Sequence, residues 1–364
     1  MSRKKKNQFK PDYAVLPGDT LKETIDALGM SQADLAERTG RPKKTINEII
    51  QGKAAITPET ALQLEKVLGV PANFWNNLQR NYEESLARIS EQTSLEKHVA
   101  WLKKIPVAAM IQNGWIKKHS DGVQQLREVL GYFGVASPAS WDERWMGQEQ
   151  FSFRKSKLFK SDPGAVSAWL RMGEIVAQKT KCQPYDANKF KETLTNIRAL
   201  TKEKPEVFQP EVERLCAEAG VVVVFVKELP KIRTSGATWW FNPNKAVIQL
   251  SLRYKSNDQL WFSFFHEAGH ILKHGKKEFF IEDSVVNEKE READEFASNF
   301  LIPKGHLEGF LRANALLSKS AINNFADSLN IAPGIIVGRL QHEKKLPHSH
   351  CNELKLRLAW KDAA

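Results

Sequence analysis

Apolar residues recur at three- and four-residue spacing through residues 13–90, the signature of helices that bury one face. The pattern predicts helices over Gly18–Leu28, Ser31–Glu37, Pro42–Gln51, Thr57–Val67 and Ala72–Ile89. Gly29, Gly40, Gly52 and Gly69 follow four of them, where a helix end favours a residue that tolerates positive φ. Ser31 ahead of Asp34 is an N-cap signal. No strand pattern precedes residue 95, so this stretch is expected to be all-helical. Between 96 and 210 the pattern gives helices at Ala100–Ile105, Gly122–Phe133, Pro163–Lys179 and Ala187–Leu200. Trp101, Trp115, Trp141, Trp145 and Trp169 are scattered among them, and the region reads as a helical spacer domain that buries its tryptophans. Ser137–Ser152 is the expected loop.

The pattern changes at residue 211. A helix at Glu211–Ala219 ends on Gly220, and Val221–Val226 is a continuous β-branched run, as in a buried strand. Gly236–Phe241 and Ala246–Ser251 are further strands, joined by a turn at Asn242-Pro243-Asn244. Helices follow at Gln259–His274, Glu288–Leu301, Ser320–Leu329 and Pro333–Glu343. The expected architecture is multi-domain and mostly α. It comprises a basic tail (1–12), an all-α domain (13–90), a helical middle region (96–210), an α+β domain (211–345) and a polar tail (346–364).

Composition removes several classes of protein. With 41% hydrophobic residues the chain can build cores, so it is not a disordered polymer. No apolar run approaches the ~18 residues of a membrane span, and the basic N-terminus lacks the apolar segment of a signal peptide. Cys182, Cys216 and Cys351 are odd in number and far apart, which excludes a disulfide-stapled scaffold and suits a reducing cytoplasm. The formal net charge is +11, and residues 96–210 carry most of it, with 19 Lys and Arg against 12 Asp and Glu. Such a surplus attracts nucleic acid without sequence preference, but mild basicity is common among enzymes too.

Two segments carry chemistry. A helix-turn-helix laid on Gln32–Gln51 puts Ala36 where two helices cross, Gly40 in the tight turn, and Leu35, Ile46 and Ile49 in the interface. Lys43, Lys44, Thr45, Asn47 and Glu48 then face outward. The lysines suit phosphates, Thr45 and Asn47 suit bases, and Gln32 at the head of the first helix can reach either. The competing reading is an αα-hairpin that merely packs. Context argues against it. LPGDTLKETIDALGMSQADLAERTG, then INEIIQGKAAITPETALQLEKVLGVPANFWNNLQRNYE, resembles the HigA-type antitoxins of the XRE helix-turn-helix family over residues 15–83. The resemblance implies a homodimer that binds operator DNA and a cognate toxin. Arg41-Pro42 departs from the family's apolar-then-Ser pair. Pro42 suits a first helical turn, and Arg41 is expected to point to DNA.

The second segment, FSFFHEAGHILKH, contains His266-Glu267-Ala268-Gly269-His270. Histidines at i and i+4 share a helix face and can bind one Zn²⁺, and Glu267 is then the general base for an attacking water. In EKEREADEFASNFLIP the buried face is set by Ala293, Phe296, Ala297 and Phe300. At about 100° per residue, Glu290 and Asp294 fall at one edge of that face and Glu292 points away. Glu290 is therefore the expected third ligand, and Asp294 an acceptor that orients a ligating histidine. His274 is either an alternative ligand or a polar cap, with the cap preferred, and Glu292 reads as a solvated charge. The competing reading, two histidines that only pack, leaves Glu267 costly to bury.

QLSLRYKSNDQLWFSFFHEAGHILKH followed by EREADEFASNFLIP is similar to the ImmA/IrrE metallopeptidases, over about residues 211–340. The resemblance implies a zincin-like domain with His266, His270 and Glu290 on zinc. It also implies cleavage of a regulatory protein by an activity that is often cryptic. The strand Ala246–Leu252 is expected to edge the cleft, where an extended substrate could add. Ile322–Leu340 has helix-turn-helix-like spacing, but the preferred reading is a helical pair that closes the second core. The whole reads as a cytoplasmic DNA-binding regulator with a zinc endopeptidase domain. The alternative is an antitoxin and repressor whose zinc fold is a scaffold or sensor.

Overall fold

The computed structural model describes residues 14–147, 161–276, 278–281, 287–314 and 316–361. The fold is mostly helical and divides into two compact units, Met1–Ala100 and Trp101–Ala364.

The first unit holds α1 (Pro17–Ala27), α2 (Gln32–Thr39), α3 (Lys43–Ile50), α4 (Pro58–Leu68) and α5 (Ala72–Glu96). Local chemistry sets these boundaries. The Ser31 hydroxyl accepts the Asp34 N–H while Asp34 accepts the Ser31 N–H, a complete capping box at α2. Gly40 ends α2 at φ 66°, turning the chain into α3. Leu21, Ile25, Leu35, Ile46, Ile49, Leu64 and Trp75 form the core. α5 runs past the expected Ile89 to Glu96, since no Gly or Pro interrupts it.

One close approach fixes how α1 meets α3. A Cβ on Gly18 would fall 2.4 Å from the carbonyl oxygens of both Ile49 and Ile50. These are backbone atoms and cannot swing aside. Gly18→Ala should therefore destabilise this unit by about 1–3 kcal/mol, a fall of several degrees in its thermal midpoint. An unchanged midpoint would show that the two helices do not meet this closely.

The second unit starts with a 3-10 turn (Val99–Lys104) shared across the boundary. It continues through α6 (Val107–Gln112), α7 (Gly122–Phe133), α8 (Pro138–Asp142), α9 (Pro163–Lys179), α10 (Ala187–Ala199) and α11 (Pro205–Glu218). Part of the stretch expected as a loop, Ser137–Ser152, is helical. Ser137 caps α8, Pro138 opens it, and Trp141 and Trp145 bury one turn apart as the helix widens into a π turn (Glu143–Gly147). The rest of that stretch, 148–152, lies outside the described residues. Trp101, Trp141, Trp145 and Trp169 are buried, and Trp115 is half-buried against Tyr132.

The sheet comprises β1 (Val221–Phe225), β2 (Gly236–Asn242), β3 (Lys245–Leu250) and β4 (Phe280–Ile281), in the order β1-β3-β2-β4. β1 and β3 are parallel, and β2 runs antiparallel to both β3 and β4. The helices that follow are α12 (Asn257–Lys273), α13 (Glu288–Leu301), α14 (Lys304–Ala313), α15 (Lys319–Ser328) and α16 (Pro333–His342). The packing shows no boundary at residue 211. Phe190, Leu194 and Ile197 of α10 share one core with β1, β3, α12 and α16. The indole N–H of Trp169 on α9 donates to the Val226 carbonyl, and Gln249 Nε2 of β3 donates to the Trp169 carbonyl. α15 and α16 pack into the same core through Ile322, Ala326, Ile336 and Leu340, as a closing helical pair would.

The expected polar tail at 346–364 is instead laid against the start of α12 as far as residue 361. Leu346 and Leu358 are buried in the core. The Asn257 N–H donates to the Leu356 carbonyl, and Lys355 pairs with the buried Asp258 at 2.7 Å. This contact begins α12 at Asn257, two residues before the sequence pattern does. All three cysteines are free thiols. Among the described residues no helix is long and apolar enough to cross a membrane.

Candidate metal centre and nucleic-acid interface

α12 is the central helix of the second unit and is buried along nearly its whole length. Small residues let α13 come close to it. A Cβ on Gly269 would lie 3.3 Å from the Cα of Ala293, and Ala293 and Ala297 line the α13 side. Asn287 caps α13 by accepting the Glu290 N–H, so Glu290 stands in its first turn and faces α12.

His266, His270 and Glu290 each offer a ligand atom within 4.8 Å of the others and could hold a metal ion. The Nε2 atoms of His266 and His270 are 3.0 Å apart, and Glu290 approaches them at 3.0 and 3.5 Å. Asp294 Oδ1 lies 2.9 Å from His266 Nδ1. An ionised carboxylate only accepts hydrogen bonds, so a His266 that donates its Nδ1–H to Asp294 keeps the lone pair of its Nε2 for a metal ion. Lone pairs and a carboxylate converging on one point, almost out of water, suit a cation. This is the donor set of a three-ligand zinc site. Burial pushes Glu290 up, but where the rings of His266 and His270 carry protons toward it, as they would without a metal, their hydrogen bonds and charges outweigh burial and bring its pKa down to about 2. Burial lowers the pKa of His270, which favours the neutral imidazole a metal needs.

Glu267 is fully buried at 0% exposure, under the start of β2. A Cβ on Gly236 would come within 2.5 Å of its Oε1, so only glycine leaves room for this carboxylate. Thr238 Oγ1 reaches the Glu267 carbonyl at 3.4 Å. The Phe280 ring of β4 stacks on His270 at 3.9 Å.

The strand expected to edge this cleft is not an edge. β3 is bonded to β1 on one side and β2 on the other, so a substrate strand cannot add to it. Its unbroken apolar run Ala246-Val247-Ile248 was the available signal, because strands buried on both faces read as continuous hydrophobic runs. β2 and β4 lie on the metal side instead, and β4 is too short to carry a sequence pattern. Glu292, read as a solvated charge, lies 3.0 Å from His274 Nε2. His274 does end α12 as a cap, but its ring also lies 3.0 Å from His270 Nδ1.

In the first unit Lys43 and Lys44 are exposed at the head of α3, and Thr45, Asn47 and Gln32 are half-buried. Lys44 lies 3.8 Å from Glu48, a weak surface pair. Asn47 Oδ1 accepts from Gln51 Nε2, so the Asn47 amide N–H groups remain as donors. Arg41 differs from its expected place. Its Nε donates to Gln63 Oε1, its Nη2 lies 3.3 Å from Glu59, and its side chain is only 19% exposed. The guanidinium is committed to α4 because Gln63 and Glu59 present acceptors on the helix it faces.

Residues 21–75 match the helix-turn-helix family, and residues 216–319 match the IrrE N-terminal-like domain of the M78 peptidases. The HTH-type transcriptional regulator YddM of Escherichia coli (strain K12) is 33% identical over 81 residues, covering 22% of this chain and 84% of that protein. Virulence-associated protein I of Dichelobacter nodosus is 33% identical over 81 residues, 22% of this chain and 75% of that protein. Among solved structures, an addiction module antidote protein of the HigA family from Coxiella burnetii aligns at 34% identity with TM-score 0.22, covering 23% of this chain and 92% of that one. The Pseudomonas aeruginosa antitoxin HigA, solved with the higBA promoter, aligns at 27% identity and TM-score 0.22, covering 23% and 94%. Fold and site thus define a regulator with a helix-turn-helix head and a metallopeptidase-family body. The chain belongs to the XRE-type helix-turn-helix regulators and carries an IrrE-like domain at its C-terminal side.

Proposed function

We propose that the chain is a transcriptional regulator of the antitoxin type whose second unit is a zinc-dependent endopeptidase acting on a regulatory protein. The observation that carries this reading is the meeting of His266, His270 and Glu290 beside the buried Glu267. Zinc held there would polarise the scissile carbonyl and the attacking water. The chain's own parts have separate tasks. His266, His270 and Glu290 hold the ion, Asp294 keeps the His266 ring in its tautomer, and Glu267 takes the proton of the water. Lys43 and Lys44 contact operator phosphates, while Thr45, Asn47 and Gln32 read bases. A homodimer would place two such heads on a symmetric operator. The HigA-type relatives make a toxin one candidate for the protein partner. We place the work in the cytoplasm, where an operator and free thiols would both be found.

Metal analysis tests the centre without a substrate. Wild type purified without chelator should carry one zinc per chain, and Glu290→Ala should carry little. Two liganding imidazoles do not replace the third donor of a catalytic zinc site. Wild type lacking stoichiometric metal would remove the peptidase reading and leave a regulator with a metal-free fold.

A further inference from the structure

The two ligating histidines are not held alike. His266 Nδ1 faces a carboxylate, Asp294, at 2.9 Å. His270 Nδ1 faces another imidazole, with His274 Nδ1 at 3.0 Å. A carboxylate can only accept, but an imidazole nitrogen either accepts or donates according to its tautomer. His270 can offer the lone pair of its Nε2 to a metal ion only if its proton is on Nδ1. His274 must then accept at its own Nδ1 and carry its proton on Nε2. Glu292 Oε2 lies 3.0 Å from that Nε2 and, being an acceptor, stabilises this arrangement. The His274 side chain is 4% exposed, so its polar neighbours rather than solvent decide its tautomer.

From this chain of contacts we infer that His274, oriented by Glu292, is a positioning residue that sets the tautomer and ring angle of His270 for metal binding. His274 is not itself a ligand. One of its nitrogens is turned to His270 Nδ1 and the other to Glu292, both away from the point where the three ligand atoms meet. The inference rests on the metal-binding reading above. It adds that the centre has two unequal supports, a direct carboxylate for one histidine and an imidazole–carboxylate relay for the other.

The test is metal affinity, read by competition with a chromophoric chelator at fixed pH, together with the visible spectrum of the cobalt-loaded protein. His274→Leu keeps bulk but removes the acceptor, and should weaken zinc by about 10- to 100-fold, the usual effect of losing a partner behind a ligand. His274→Asn places a carbonyl oxygen near the position of Nδ1 and should recover most of that loss. The cobalt bands should shift in the Leu variant and return in the Asn variant. Glu292→Ala should weaken binding in wild type but add nothing on the His274→Leu background, because it acts only through His274. Wild-type affinity in His274→Leu, equal loss in Leu and Asn, or an independent effect of Glu292→Ala would each overturn the inference. Wild type that binds no zinc would instead bring down the metal reading beneath it.

Discussion

Replacing Glu267 by Gln should cut peptide-bond cleavage by about 10²- to 10⁴-fold, the span ascribed to a general base, while metal content and DNA affinity stay as in wild type. Glu267 lies one residue after His266 on α12 and beneath Gly236, where the close approach of β2 fixes its carboxylate in one place. Glutamine has the same shape, so it fits under Gly236 without repacking, and the three ligand atoms are untouched. Only the ability to take a proton is lost. The partner protein is not specified by the site, so the readout is the set of new protein N-termini formed in cells. Termini that appear with wild type should vanish with Glu267→Gln. If the same termini form with both, the base is elsewhere. If neither produces any, even with the cognate partner co-expressed, the metal fold serves as scaffold or sensor.

What was legible in the sequence was what depends on residues close together along the chain. Ser31 and Asp34 announce the start of α2, Gly40 its end, and His266 with His270 share a face because they are one turn apart. Even Glu290 was accessible, since the apolar stripe of Ala293 and Ala297 fixes which side of α13 meets α12. What was not legible depends on contacts between distant segments. Nothing near Trp169 tells that its indole N–H will find Val226, so the helices of 96–210 read as a separate spacer. Leu346 and Leu358 are isolated apolar residues among polar ones, and a docked tail with two anchors looks like a free one. The order β1-β3-β2-β4 follows from β1 skipping its sequence neighbour to pair with β3. Helical spacing put Glu292 off the buried face correctly, yet His274 reaches out to it from the end of α12.

Lys43 and Lys44 together should account for a measurable part of DNA affinity that does not depend on base sequence. Both are exposed at the start of α3, and the 3.8 Å contact of Lys44 with Glu48 is too weak to withhold it from a phosphate. Each phosphate neutralised contributes about 0.9 to the slope of log affinity against log salt. The double variant Lys43→Ala, Lys44→Ala should therefore lower that slope by about 2 per bound protomer, and weaken binding to operator and random duplex alike. Asn47→Ala is the contrasting case. Its amide donors suit an adenine edge, so its loss should cost about 1–3 kcal/mol on the operator alone, with the salt slope unchanged. Arg41→Ala serves as the internal reference, because its guanidinium is engaged by Gln63 and Glu59 and should leave the slope as it is. Binding isotherms at several salt concentrations separate the three. A double lysine variant with the wild-type slope would mean that α3 does not face the phosphate backbone, and the helix-turn-helix would have to dock by another surface.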